Sequence, residues 1–281
     1  MIFTGIALIF LGLCFGSFVN ALVWRLRQQE INKRETRNEK RETSSSIIRG
    51  RSICPHCHHE LAAKDLIPVL SRLFLRARCR YCGKPISIQY PLVELAMAAV
   101  FVSSYILWPQ DLESSGQLIL FISWLGVSVG LMALAVYDWR WMILPNRLIY
   151  PTLALAAAGR LGYIAFYSDD VAYSLSLLAL SLAVASGFFW LVSLASAGKW
   201  IGHGDIRLGW ILGTVLADPA LAVLMIFTAS VLGSLTAIPQ LIEGSKKLDS
   251  KLPFGPFLIA ATFITLLFGS DITQWYRGLL T

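Results

Sequence analysis

The chain has 281 residues, of which 56% are hydrophobic and only 15% charged, with a mean hydropathy of +0.63. That leaves too little polar surface to cover a water-soluble globule of this size, and it predicts an all-α polytopic membrane protein. The formal charge of +7 does not point to a nucleic-acid partner, because residues 25–90 hold 15 Lys and Arg against 6 Asp and Glu, a net +9, while the remainder carries −2. An excess confined to one loop between apolar segments is an orientation signal.

A helix that crosses about 30 Å of hydrocarbon needs roughly 17–25 mostly apolar residues. Apolar stretches near 3–24, 91–108, 117–137, 148–166, 173–196, 206–217, 220–241 and 253–269 predict about eight transmembrane helices. The sixth is short and reads as a half-span or a tilted segment that the charge pattern argues crosses. Lys and Arg fall in 25–90, at Arg140 and Arg147, at Lys199 and Arg207, and at Lys246, Lys247 and Lys251. The alternate connections carry Asp111 and Glu113, Asp169 and Asp170, and Asp218. Eight passes put every basic loop in the cytoplasm and both termini outside. The expected organisation is a first transmembrane helix over 1–24, a cytoplasmic basic loop with a small zinc-ribbon-like domain over 25–90, and a multi-helix membrane core over 91–281.

Residues 1–24 lack the basic n-region of a signal peptide, and Arg25 and Arg27 follow the apolar run, so the segment reads as an uncleaved anchor. Gly12, Gly16, Ser17 and Asn20 recur at helical spacing along it, which favours a packing face over a substrate contact. Cys14, inside the same run, reads as a packing residue. Residues 28–49 are polar and charged; they read either as an extension of the first helix or as a linker, the latter favoured after Thr43.

The loop holds Cys54-Pro-His-Cys57 and Cys79-Arg-Tyr-Cys82, two C-x-x-C knuckles. Each presents two thiolates to one ion, Gly83 supplies a turn, and Arg78 and Arg80 favour the thiolate form, so Cys54, Cys57, Cys79 and Cys82 read as a zinc site. Disulfides are the alternative, disfavoured in a reducing cytoplasm. With four protein ligands the zinc keeps no open position and is structural. His56, His58 and His59 crowd the first knuckle as solvent-facing or supporting residues.

Two aspartates border membrane segments. Asp138 lies in Tyr-Asp-Trp-Arg-Trp-Met-Ile-Leu-Pro-Asn, residues 137–146, where Pro145 marks a helix break that frees backbone groups for a substrate. Asp205 ends Gly202-His-Gly204-Asp, where the glycines let another backbone approach the carboxylate. Each alone is also what an ordinary helix-end carboxylate at the membrane surface looks like. Together, at one expected depth, they form a pair in which like charges cannot both ionise, so one carboxyl keeps a proton while the other activates water: peptide hydrolysis without a covalent intermediate.

At this point the sequence resembles the type IV prepilin leader peptidase family over nearly its whole length. The resemblance rests on Leu11-Gly-Leu-Cys-Phe-Gly-Ser-Phe-Val-Asn20 with Arg25, on Arg49-Gly-Arg-Ser-Ile-Cys-Pro-His-Cys57, on Leu66-Ile-Pro-Val-Leu-Ser71, on Arg78-Cys-Arg-Tyr-Cys82, and on Ile86-Ser-Ile-Gln-Tyr-Pro-Leu-Val-Glu94. It also rests on Asp138 with Leu144-Pro145-Asn146 and on the G-x-G-D box at Asp205. It implies a bacterial inner-membrane enzyme that cuts the basic leader from prepilins or pseudopilins on the cytoplasmic side, usually between Gly and Phe, and in many members then N-methylates the new terminus with S-adenosylmethionine. The loop shows no glycine-rich nucleotide motif of its own. Departures from the family pattern are Arg207 where Lys is usual, Arg27 where Pro is common, Leu75-Arg-Ala-Arg78 where a Gly is common, and Gln89 where Arg is usual; none is one of the aspartates.

Glu94, at the mouth of the second span, reads either as a contact for the leader's basic residues, as part of methyl transfer, or as a first-turn helix acid. Two further readings compete: a peptidase without methyl transfer, and a non-enzymatic transporter or adaptor in which the aspartates bind a proton or cation.

Overall fold

The computed structural model describes residues 2–35, 51–242 and 252–280; the linker expected after Thr43 and the basic cluster at Lys246, Lys247 and Lys251 lie outside them. The described residues form helices α1 Ile2–Glu35, α2 Leu70–Phe74, α3 Gln89–Ile106, α4 Ser115–Trp141, α5 Asn146–Tyr167, α6 Val171–Ala195, α7 His203–Leu216, α8 Pro219–Ile242 and α9 Gly255–Leu280. Strand pairing among them is limited to two isolated bridges. Seven helices, α1, α3, α4, α5, α6, α8 and α9, contain a stretch long and apolar enough to cross a membrane, and the protein is an all-α multi-pass membrane protein. The short sixth stretch is α7; its 14 residues extend about 21 Å, less than a full crossing. The first helix runs on past residue 24 to Glu35, because Gln, Glu, Lys and Arg are good helix formers once the apolar run has nucleated it; residues 25–35 therefore continue the helix.

The chain forms two compact units, residues 1–105 and 106–281. In the first, α1 and α3 approach until backbones touch. A Cβ on Gly12 would lie 2.5 Å from Ala98 Cα, and one on Gly16 would lie 2.5 Å from Glu94 Cα, so the small residues of α1 do form a packing face. Asn20 locks the contact: its Nδ2 donates to Gly16 O at 3.2 Å and to Tyr90 O at 3.1 Å, and its Oδ1 accepts from Gln89 Nε2 at 3.3 Å.

In the second unit α4 packs along α5, α6 along α7, and α8 along α9, and α7 also touches α5, α8 and α9. Its Leu208, Ile211 and Leu212 are fully buried. The neighbours satisfy a helix this short. Ser186 Oγ donates to Ile206 O and Ser181 Oγ to Gly213 O, both at 2.9 Å. At the far end Arg160 Nε donates to Thr214 O at 3.3 Å and Nη2 to Val215 O. A cation on the last carbonyls offsets the negative end of the helix dipole and pairs groups that lipid would leave bare. Ala217, with φ +48°, then turns the chain into α8, whose first amides, of Ala220 and Leu221, donate to Asp218 Oδ1.

Candidate active site and metal centre

The loop of the first unit is built from two copies of one tight turn. Cys54 N donates to His59 O at 3.0 Å and His58 N to Cys54 O at 2.9 Å; in the second knuckle Cys79 N donates to Lys84 O and Gly83 N to Cys79 O, both at 2.9 Å. Bridges Ile53–Glu60 and Arg78–Pro85 close the two turns. The fifth residue of each turn is left-handed, Gly83 at φ +69° and His58 at φ +55°, so His58 has a backbone role that its side chain does not announce. The Sγ atoms of Cys54, Cys57, Cys79 and Cys82 all lie within 4.8 Å of one another, and Cys54 and Cys82 Sγ are 3.9 Å apart. Burial pushes the Cys54 thiol up, but the amides of Cys57 and His56 and the Cys57 and Cys79 thiols outweigh it and bring it down to about 7. Cys82, despite the Lys84 amide, is pushed up to about 11 by burial and its three sulfur neighbours. Thiols that ease one ionisation and resist the next are what a bound divalent cation resolves. The donor set fits a tetrahedral, closed, four-sulfur site.

Asp65 braces the second knuckle. Its side chain is 2% exposed, accepts from Arg80 Nε at 2.7 Å and from Tyr81 OH at 3.1 Å, and also accepts from Ala62 N. Burial opposes ionisation there, yet the Arg80 and Tyr81 bonds hold its carboxyl below the usual range. Glu94 is buried, at 7% exposure. Its Oε2 accepts from Val69 N at 2.7 Å, and Ser17 lies beside the same carboxylate. Val69 sits at φ +59°, ψ −51°, a costly conformation for a β-branched residue, so the Glu94 bond pins a strained point of the loop to α3.

The aspartates sit in the second unit. Asp138 is in the last turn of α4, which Met142 ends in the left-handed conformation with its amide on Asp138 O at 2.7 Å. Residues 143–145 lie between the two helices, and Pro145, with extended backbone, is the N-cap of α5. Asp205 is in the first turn of α7, after the Gly202 N-cap. Asp138 is buried, at 5% exposure, and Asp205 is partly open.

Three contacts bring the motifs together. Asp205 lies within electrostatic range of Asp138. Leu144 packs against the α7 turn so closely that a Cβ on Gly204 would lie 3.1 Å from Leu144 Cβ. Arg207 Nη1 donates to Asn146 Oδ1 at 2.5 Å. A fourth element also reaches the site: Gly255 N, at the start of α9, donates to Asp138 Oδ2 at 3.2 Å. The available signal was Pro253-Phe-Gly-Pro256, a glycine bracketed by prolines at a helix start. Asn146 has no local signal that it meets a residue 61 positions away.

The fold and site thus define an all-helical multi-pass membrane protein with a four-cysteine loop in one unit and two neighbouring carboxylates at helix breaks in the other. By its sequence relationships, the chain belongs to the type IV leader peptidase family. The model of the bacterial peptidase A24 N-terminal domain matches residues 10–108, and that of the type IV leader peptidase family matches residues 125–238. A prepilin leader peptidase/N-methyltransferase of Aeromonas hydrophila is 32% identical over 96% of this chain and 93% of its own length. Proteins of the same name from Pseudomonas aeruginosa and Bacillus subtilis are each 33% identical, over 95% of this chain and 91% of their partner, and 82% and 87%, respectively. No solved structure matches the chain.

Proposed function

We propose that the chain is a membrane aspartic endopeptidase that removes the basic leader of prepilins or pseudopilins and then methylates the new amino terminus. The carrying observation is the meeting of the Asp138 and Asp205 motifs around Leu144, Asn146–Arg207 and Gly255. In this reading one carboxylate takes a proton from a water that attacks the scissile carbonyl. The other, protonated, carboxyl donates to the carbonyl oxygen and, as the tetrahedral intermediate collapses, a proton passes to the leaving nitrogen. The products are a leader with a new carboxylate and a mature chain with a new amine. Pro145 and Gly202 support this as the N-caps that start α5 and α7, and Gly204 by keeping a side chain out of the approach.

The basic loop faces the cytoplasm of a bacterium whose inner membrane holds the helices, an orientation supported by the +9 charge of residues 25–90. Cys54, Cys57, Cys79 and Cys82 hold one structural zinc there, which supplies a cross-link and no chemistry. S-adenosylmethionine supplies the methyl group for the second activity. No loop residue is assigned to that cofactor; the described loop residues hold one glycine, Gly83, which forms the second knuckle's turn. Glu94 is proposed as a leader contact only to the extent that its carboxylate can leave Val69.

Mass spectrometry of a prepilin co-expressed with this chain tests the proposal. Loss of the leader together with a methyl increment on the mature chain is the expected result. Loss of the leader alone reduces the function to a peptidase. An intact precursor overturns the reading.

A further inference from the structure

A helix start leaves its first amides without partners inside the helix. In α9 the first turn is unusual in how few it offers. Pro256 has no N–H, while Phe257 N and Leu258 N both donate to Phe254 O at 3.1 Å. The Gly255 amide is therefore the one amide among residues 255–258 not given to Phe254 or removed by proline, and it donates to Asp138 Oδ2 in a buried setting. A Cβ there would lie 2.7 Å from that oxygen and 3.3 Å from Asp138 Cγ, so any side chain at 255 must shift the Asp138 carboxyl.

Among the described residues this is the only hydrogen bond made by the Asp138 carboxyl group. A carboxylate or carbonyl oxygen accepts an N–H better than the hydroxyl oxygen of a carboxylic acid does. The amide thus keeps any shared proton off Oδ2, leaving Oδ1 and Asp205 to hold it and the attacking water. We propose, resting on the aspartate-pair reading above, that Gly255 is a positioning residue for peptide hydrolysis: its amide fixes the Asp138 carboxyl plane, and the residue must be glycine because any side chain displaces the carboxyl it orients.

The experiment measures kcat and KM on a detergent-solubilised prepilin peptide, with thermal melting of each variant. Gly255→Ala is expected to lower kcat by about 100-fold, the usual cost of misplacing a reacting group by an ångström, with KM within about threefold and melting unchanged. Wild-type kcat, or a loss confined to KM, overturns the proposal. Should Gly255→Ala fail to fold, the ester analogue with glycolate at 255 deletes the N–H without adding an atom. The same kcat loss is then expected, and wild-type kcat overturns the role of the amide. Asp138→Asn and Asp205→Asn run alongside. If they cleave normally, the aspartate-pair reading has failed; if they are inactive while Gly255→Ala is not, only the Gly255 assignment has.

Discussion

Arg207 donates to Asn146 Oδ1 at 2.5 Å, joining the residue two after Asp205 to the residue just after the Pro145 break that follows Asp138. This single tie spans the two halves of the site. It also accounts for how Arg serves at a position where the family resemblance leads one to expect Lys: a guanidinium offers several donors in a fixed fork, and one of them is aimed at the Asn146 amide oxygen.

Removing the tie has a measurable cost. Arg207→Ala and Asn146→Ala should each weaken cleavage by roughly fivefold, about 1 kcal/mol for a partly exposed charge-assisted bond. The double variant should lose little more than either single one. Arg207→Lys should retain most activity. Strictly additive losses in that cycle would show that the contact does not act in the site.

Replacing either aspartate removes a proton carrier. Asp138→Asn and Asp205→Asn should each lower the cleavage rate by about 10²- to 10⁴-fold while the protein still inserts in the membrane. Kinetics on purified protein decides this; a residual rate within about tenfold of wild type in either variant rejects the shared-proton pair.

Metal analysis of protein purified under reducing conditions without chelator should give about one zinc per chain. Chelation, or Ser at Cys54, Cys57, Cys79 or Cys82, should raise amide hydrogen exchange across residues 51–88 far more than in α4 to α9, because the metal stabilises the fold it closes. Stoichiometry near zero, or loosening spread evenly over the helices, counts against the site.

Glu94→Gln separates two roles. Gln retains an acceptor for the Val69 amide but not the charge, so a leader-binding role predicts poorer processing of basic leaders with leaders of neutralised charge spared. An anchoring role predicts equal, modest changes for both leaders and faster amide exchange at Val69, whose strained backbone Glu94 holds. Processing of paired leaders, read with exchange at that one amide, distinguishes them.

Much of this molecule is a consequence of composition and local pattern. Long apolar runs must become helices where water cannot satisfy the backbone, and two C-x-x-C turns can be read as a ligand set because their geometry is local. For the same reason Gly12, Gly16 and Asn20 identified a packing face from spacing alone. Other features needed the fold. Local sequence left open whether the twelve residues 206–217 cross, whereas the α7 they form is 14 residues long, ends on Arg160 of another helix and packs against four neighbours. Glu94 read as an acid at a membrane mouth, and only the returning loop shows it buried against Val69. Gly255 was ordinary until α9 placed its amide on Asp138, across 117 residues of sequence. Hydrophobicity and turn chemistry act over a few residues and are written in order along the chain. Which amide reaches which carboxylate is set by helix packing, where distant residues meet because small side chains and satisfied helix ends allow it.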